Sequence, residues 1–532
     1  MFKKTLLLSL AATSLLATNG LNMIGTSTVS RSMGGTGVAF YSHATEAMHK
    51  NISLLGDIGK DEFQFDLTYF NATVNSTVYD KMPLNANTTD PSGNDLPNMP
   101  SYNNPTTASS QNMIDTNFIP SMTYASRIDE HMVFGFAFIG AAGLATQYQG
   151  EASQRQINSS MLLMKVIPGI SYRQGNTTFG FAPVLGLGSM HMNYDEAYLK
   201  GSGDTYYQSE AYPFGTKPQS QREGMFGSNA GGSSLEAAFG FTAGMDVKVT
   251  PKLRVAASYN SALKYNFKEF SNFAQFGPNG MVYMADEWMR NNTGVGLNSD
   301  PSGGSVGDQL TAAMIGKGID STVAKATGAT IGALAGTDTI QAALDATNPS
   351  KLDDLTMEQP WEIALGFAYD VSDRTIFTFD YRFIAWGLAE GYRDFGWENQ
   401  NVFAFGMQYT GSKYILRAGY NYAASPISNT TGESGALLTN IQGHLVFDQA
   451  VSMLNMIGFP AIATTHFTAG MGYALTDDVD FDFGIMYAPE ATTTRSGQLS
   501  PLQLGVDAVD MSYEYGTTME QLTLSFGVNY RF

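Results

Sequence analysis

The side chains able to do acid–base or metal chemistry are few and scattered. Six histidines, His43, His49, His131, His191, His444 and His466, stand among 532 residues. None forms an HExxH or other close ligand pair of the kind a bound zinc needs; His43 and His49, six apart, come nearest. Cysteine is absent, which removes disulfides, thiolate nucleophiles and sulfur ligands together. Met33-Gly34-Gly35-Thr36-Gly37-Val38-Ala39 contains a GGxG string, but no strand precedes it and no Lys-Ser/Thr follows, so it does not read as a phosphate cradle. Nothing selects a serine to act with a histidine, and the carboxylates are dispersed rather than paired. The expectation is a protein without metal, cofactor or catalytic residues.

Charge narrows the partners. Lys and Arg number 29 against 48 Asp and Glu, a net charge of −19, which argues against nucleic acid, since phosphate binding wants a basic surface. Acidic loops suit an outer face where divalent cations bridge to anionic lipid and lipopolysaccharide. Only 14% of residues are charged, yet mean hydropathy is −0.12. No run of about 20 apolar residues follows the N-terminus, so membrane-spanning helices are not expected. Lys3 and Lys4 before the short apolar stretch Thr5 to Leu16, with Ala17 as cleavage residue, predict a signal peptide over 1–17.

The elements that must hold such a chain together show period two. Leu522, Leu524, Phe526, Val528, Tyr530 and Phe532 alternate with Gln521, Thr523, Ser525, Gly527, Asn529 and Arg531. The same alternation recurs at Phe63 to Tyr69, Phe134 to Phe138, Phe239 to Val247, Ile363 to Tyr369, Phe377 to Phe383, Phe467 to Tyr473 and Val479 to Ile485. Short turns fall at Ile128–His131, Gln174–Thr177, Thr250–Lys252, Ser372–Arg374, Thr410–Lys413 and Thr476–Asp478. Long loops fall at about 79–112, 149–157, 196–233, 269–356, 389–398, 425–462 and 492–516. Short turns on one side and long loops on the other predict an all-β membrane protein, a 14-stranded antiparallel outer-membrane β-barrel over 61–532. The terminal Phe532 fits the signal by which such barrels engage their assembly machinery. A soluble β-sandwich would not explain the one-sided loops.

Two segments lack this period. Residues 18–60, rich in small residues, read as an N-terminal plug inside the barrel, with glycines allowing tight turns. Within 269–356, Leu310, Met314, Ile315, Ile319 and Val323 follow helical spacing, loosely continued by Ile331 to Leu344. An amphipathic extracellular helix is expected there, serving as a lid or as a landing groove for an apolar ligand. Trp361 and Trp386, near strand ends, read as an interfacial girdle.

Several segments, in order, resemble the FadL/OmpP1/TodX family of long-chain fatty acid and hydrocarbon transporters. They are Asn19-Gly20 with Ser30-Arg31-Ser32-Met33-Gly34-Gly35-Thr36-Gly37-Val38-Ala39, then Gly143-Leu144-Ala145-Thr146-Gln147-Tyr148, then Thr250-Pro251 with Ser258-Tyr259-Asn260-Ser261. Pro360-Trp361, Trp386 and Trp397, then Arg417-Ala418-Gly419-Tyr420 and Ser425-Pro426, complete the set. Two positions depart: Asn51-Ile52-Ser53 replaces the family's Asn-Pro-Ala, and Ala141-Ala142 replaces Pro-Phe. The resemblance implies a hatch carried by Asn19, Gly20, Gly34, Gly35, Gly37 and Asn51, and a landing groove to which Leu310, Met314, Ile315 and Ile319 contribute. It further implies passive uptake of hydrophobic small molecules, with sideways release where strand three kinks at Gly140, Ala141, Ala142 and Gly143, and a monomeric protein. A general diffusion porin and a surface adhesin or phage-receptor barrel are the alternatives.

Overall fold

The computed structural model describes residues 19–80, 106–111, 116–147, 156–195, 228–229, 235–268, 306–316, 354–427, 438–442, 444–447, 454–498 and 512–532, with single positions 321, 325 and 451. The expected signal segment, residues 1–17, and Ile319 lie outside the described residues.

Fourteen strands close on themselves in consecutive antiparallel order. They are β1 (Glu62–Asp80), β2 (Thr116–Arg127), β3 (Met132–Gln147), β4 (Gln156–Gln174), β5 (Thr177–Asp195), β6 (Glu236–Thr250) and β7 (Leu253–Asn260), then β8 (Glu362–Ser372), β9 (Thr375–Ile384), β10 (Gln400–Thr410), β11 (Tyr414–Ala423), β12 (Thr465–Ala474), β13 (Val479–Gln498) and β14 (Ser512–Arg531). Two short segments, Thr106–Gln111 and Ser228–Asn229, extend the same sheet above the wall. β1 pairs with β14 on one side and β2 on the other, so Phe63 lies between Tyr530 and Tyr124 and the ladder has no outer edge there. Closure is what allows strands to lie in hydrocarbon, because every main-chain group then finds a partner within the wall.

Alternation sorts the side chains. On β1, Glu62, Gln64, Asp66 and Thr68 point inward and are buried, while Phe63 is 42% exposed on the outer face. Outward aromatics run from strand to strand, with ring centroids 5.7 Å apart for Phe367 and Phe379, 4.9 Å for Phe379 and Phe405, and 5.5 Å for Tyr420 and Phe467. The six expected short turns all join neighbouring strands. Polar side chains tie three of them: Asp129 accepts from His131 N and Met132 N at 2.7 and 2.8 Å, and the Thr250 and Thr476 hydroxyls each accept from the backbone N–H groups two and three residues on.

The rim is uneven. β8 to β12 have 10 or 11 residues, about what a tilted spanning strand needs, whereas β13 and β14 have 20 each. Between β7 and β8 the ladder does not stop but leaves the wall. Leu263–Lys268 pairs with Asp354–Gln359 as an inner ribbon, offset from β7 by Ser261-Ala262 and from β8 by Pro360-Trp361. Its Leu263, Tyr265, Phe267, Leu355 and Met357 are buried. A helix, Val306–Gly316, forms in the expected insertion; Ile315 on it is 42% exposed, and the side chains of Leu310 and Met314 lie outside the described ones.

Candidate functional site

The interior carries its ion pairs and side-chain-to-backbone bonds mainly in the lower half, where Met48, Ile52, Leu54 and Leu55 also pack, and its aromatic cluster in the upper half. Residues 19–58 fill the lower one, with helices Thr28–Ser32 and Ala44–Lys50 and a 3-10 turn Ile52–Asp57. Wall carboxylates accept their main-chain N–H groups. Asp380 takes Gly37 and Val38 at 2.7 and 3.0 Å, Asp66 takes Thr28 at 2.8 Å, and Glu62 takes Ala44 at 2.7 Å. Alternation alone puts these acids inward; the helix starts at Thr28 and Ala44 and the loop at Gly37-Val38 supply the unpaired donors they need.

The expected hatch residues sit where close approach matters. Gly34 (φ 69°) and Gly35 (φ 81°) adopt a backbone only glycine takes without strain. A side chain at Gly34 would meet the Tyr420 and Phe405 carbonyls at 2.6 and 2.7 Å, while its N–H donates to Thr468 at 2.9 Å. Asn51 caps the 3-10 turn by accepting from Ser53 N at 3.2 Å, and its amide donates to Val38 O at 2.8 Å. Ile52-Ser53 therefore closes this junction without a proline.

Charge fastens the same segment at the short-turn end. Asp57 pairs with Lys248 at 2.8 Å, and with Arg173 and Arg254. Burial pushes its carboxyl up, but Arg254 and the Lys248 hydrogen bond outweigh that and hold it below the usual carboxylate range. Burial lowers His43, yet the hydrogen bond to Asp482, at 3.1 Å, carries it above the ordinary histidine value. The pair is held by Arg417, 2.6 Å from Asp482. Lys50 is lowered to about 8, by burial and then by Arg382.

Above this floor the lining changes. Trp386, Tyr392 and Trp397 form a buried cluster with centroids 4.7, 5.1 and 4.9 Å apart. Tyr392 donates to the Met161 sulfur at 3.5 Å, and Trp397 Nε1 to Asn455 at 3.0 Å. The ribbon's Tyr265, Phe267 and Met357 and the Met456, Ile457 and Phe459 stretch add to the same apolar core. Trp386 corrects the girdle expectation: it is 1% exposed, because the turn Trp386–Leu388 after β9 folds inward over Gly20. Trp361 stays on the outer face beside Tyr259 and Phe383. The loop 389–398 gave no period to follow; its density of aromatics was the available signal.

At the boundary of the two halves the wall is broken. β3 pairs with β2 only as far as Ile139 opposite Ser121. There the register against β4 slips between Gly140 and Ala142, a bulge in strand three. The freed main chain turns to the N-terminal segment: Met23 N donates to Ala141 O, Gly143 N donates to Leu21 O, and Asn22 bridges Ala142. Gly140, Ala141, Ala142 and Gly143 thus come together with Asn19 to Met23. Val306–Gly316, carrying Leu310, Met314 and Ile315, has no described contact with them.

Residues 8–434 match the model of the outer membrane protein transport proteins (OMPP1/FadL/TodX). The chain belongs to this family. It is thus a bacterial outer-membrane barrel of a transport family. Solved structures agree in fold. A Pseudomonas aeruginosa FadL homologue superposes with a TM-score of 0.55 at 13% identity, covering 96% of this chain and 100% of its own. The P. putida toluene transporter TodX gives 0.52 at 14% identity, covering 96% and 99%, and the Ralstonia pickettii toluene transporter TbuX 0.50 at 15%, covering 96% and 98%. No curated protein matches the sequence.

Proposed function

We propose that this barrel is a passive channel, not an enzyme, which collects hydrophobic molecules in its apolar upper chamber and releases them sideways through the wall at Gly140–Ala142. The observation that carries this reading is the change of lining at the bulge. A greasy solute held by Trp386, Tyr392, Trp397 and the ribbon meets below it a closely packed plug, in which Met48, Ile52 and Leu55 already fill the space against the wall and the polar groups are already paired. Moving down would strand its apolar surface among polar groups, at about 0.8 kcal/mol per methylene. Moving sideways keeps it in hydrocarbon. Residues 19–58 act as the hatch, and their Leu21 to Met23 stretch is the part a ligand displaces to reach the opening.

The family resemblance and the toluene-transporter neighbours favour fatty acids or hydrocarbons as the ligands. A diffusion porin would need an open polar lumen, whereas here the polar half is packed. The test is uptake of labelled hexadecanoic acid and labelled toluene by cells with and without the protein, beside conductance in planar bilayers. Uptake of one or both with low conductance is expected. Large stable conductance, indifferent to solute lipophilicity, would sink the proposal.

A further inference from the structure

The wall is broken a second time. In one cross-strand row the ladder runs Gly140–Met164–Leu187–Ala237 and stops at both ends. One end is the bulge already described. The other is β6, whose last partner on β7 is Asn260 opposite Thr242. β7 has 8 residues, short of the about nine to eleven that a tilted strand needs to cross hydrocarbon. Just above, Phe241 N donates to the Ser261 hydroxyl at 2.8 Å and Phe241 O accepts from Ser261 N at 2.9 Å. By the period of two, the main-chain groups of Phe239 and Ala237 face the same side, where the described ladder gives them no partner. Phe239 is 80% exposed on the outer face.

What should have filled this place has moved inside. The ribbon strand Leu263–Lys268 lies across the inner face of β5 and β6, where Gly186, Gly188 and Gly240 leave room for Tyr265 and Leu263. A side chain at any of these three glycines would collide with the ribbon. Immediately beneath is a narrow cleft lined by the apolar Ile167, Val184, Phe241 and Leu263 and by the polar Lys165, Thr242, Asn260 and Ser261, with Met48 and His49 of the N-terminal segment below. The cleft reaches from that segment to the foot of the break.

We propose that the break between β6 and β7 is a second lateral slot, at the level of the outer leaflet, through which an alkyl chain passes between that leaflet and the lumen. The ribbon is its gate, swinging from the glycine seat on a hinge at Ser261-Ala262. This rests on the uptake reading and adds a route to it: the bulge at Gly140 and the slot at Phe239 flank one panel, β3 to β6, on its two sides.

The native chain has no cysteine, so a reversible lock is specific. A Cβ at position 240 meets Leu263 Cδ2 at 2.7 Å; Leu263→Cys removes that contact, so Gly240→Cys with Leu263→Cys is the pair to join, with the disulfide confirmed by loss of free thiol on oxidation. The pair is placed in a Gly140→Trp background that narrows the first opening, and assembly is checked by heat-modifiability on gels. Uptake of labelled hexadecanoic acid should fall at least fivefold on oxidation and return on reduction. Equal uptake in the two states overturns the slot alone, while wild-type uptake no greater than that of cells lacking the protein overturns the transport reading as well. Independently, a diazirine-bearing hexadecanoic acid photolysed on the wild-type barrel should mark peptide 260–265. Marking at Leu21–Met23 without marking there also overturns the slot.

Discussion

Below the bulge the lumen is a lattice of directed bonds, and above it the lining is aromatic and thioether surface. The lower half matches donors to acceptors one by one: Asp380 with the amides of Gly37 and Val38, Asp57 with three cations. Moving such a floor breaks many bonds at once, and each buried polar group left without a partner costs about 1–3 kcal/mol. The upper half, centred on Trp386, Tyr392 and Trp397, is held mostly by packing that has no required direction, with a few bonds such as Trp397 to Asn455. A guest can replace one apolar neighbour by another there at little cost. Specific bonding thus gives a fixed floor, and less directional packing gives a lining whose neighbours can be exchanged.

Four substitutions test that contrast. The largest effect is expected for Gly34→Val, which forces a branched side chain onto the Tyr420 and Phe405 carbonyls and into a backbone it cannot adopt. The floor should fail to seat, seen as a rise in bilayer conductance of at least tenfold or as loss of the heat-modifiable barrel. Next is Trp386→Ala, which removes about 3–5 kcal/mol of packing from the chamber. Conductance should stay low while hydrophobic uptake falls several-fold; a leak without an uptake defect would show that Trp386 belongs to the floor. Gly143→Phe should lower uptake severalfold in a correctly assembled barrel, and normal uptake would remove the bulge from the path.

The smallest effect concerns Asp57, whose carboxyl lies below its ordinary range in the folded protein. Its contribution is complete above the unfolded carboxylate pKa and is lost as pH falls through the lower folded value. Protease access to the N-terminal segment should therefore rise only in acid below the ordinary carboxylate range. Asp57→Asn should show the increase, about twofold, already at neutral pH. A flat profile in the wild type would mean that these three ion pairs do not hold the floor.

The wall was legible because one face of every strand must meet lipid, so Phe377, Phe379, Tyr381 and Phe383 declare their spacing. The six turns followed from polar residues between such runs. The ribbon escaped detection for the same reason the wall did not: Leu263, Tyr265 and Phe267 continue the alternation of β7, and period two does not say whether a strand stays in the wall or leaves it. The chamber was also hidden. Tyr392, Phe395, Met456 and Phe459 lie in connections without period, and only their apolar density within supposed loops marks them. Gly140 and Gly143 came from resemblance; the slip of register beside them belongs to the three-dimensional ladder.

The uneven rim gives the mouth a direction. β13 and β14 exceed β8 by 20 − 11 = 9 residues, about 30 Å along the strand at roughly 3.3 Å per residue. Even strongly tilted, they reach far beyond β8 to β12, whose described connections Trp386–Leu388 and Leu454–Gly458 fold inward over the lumen instead. The same wall is therefore extended upward on one arc and roofed by its own connections on the next.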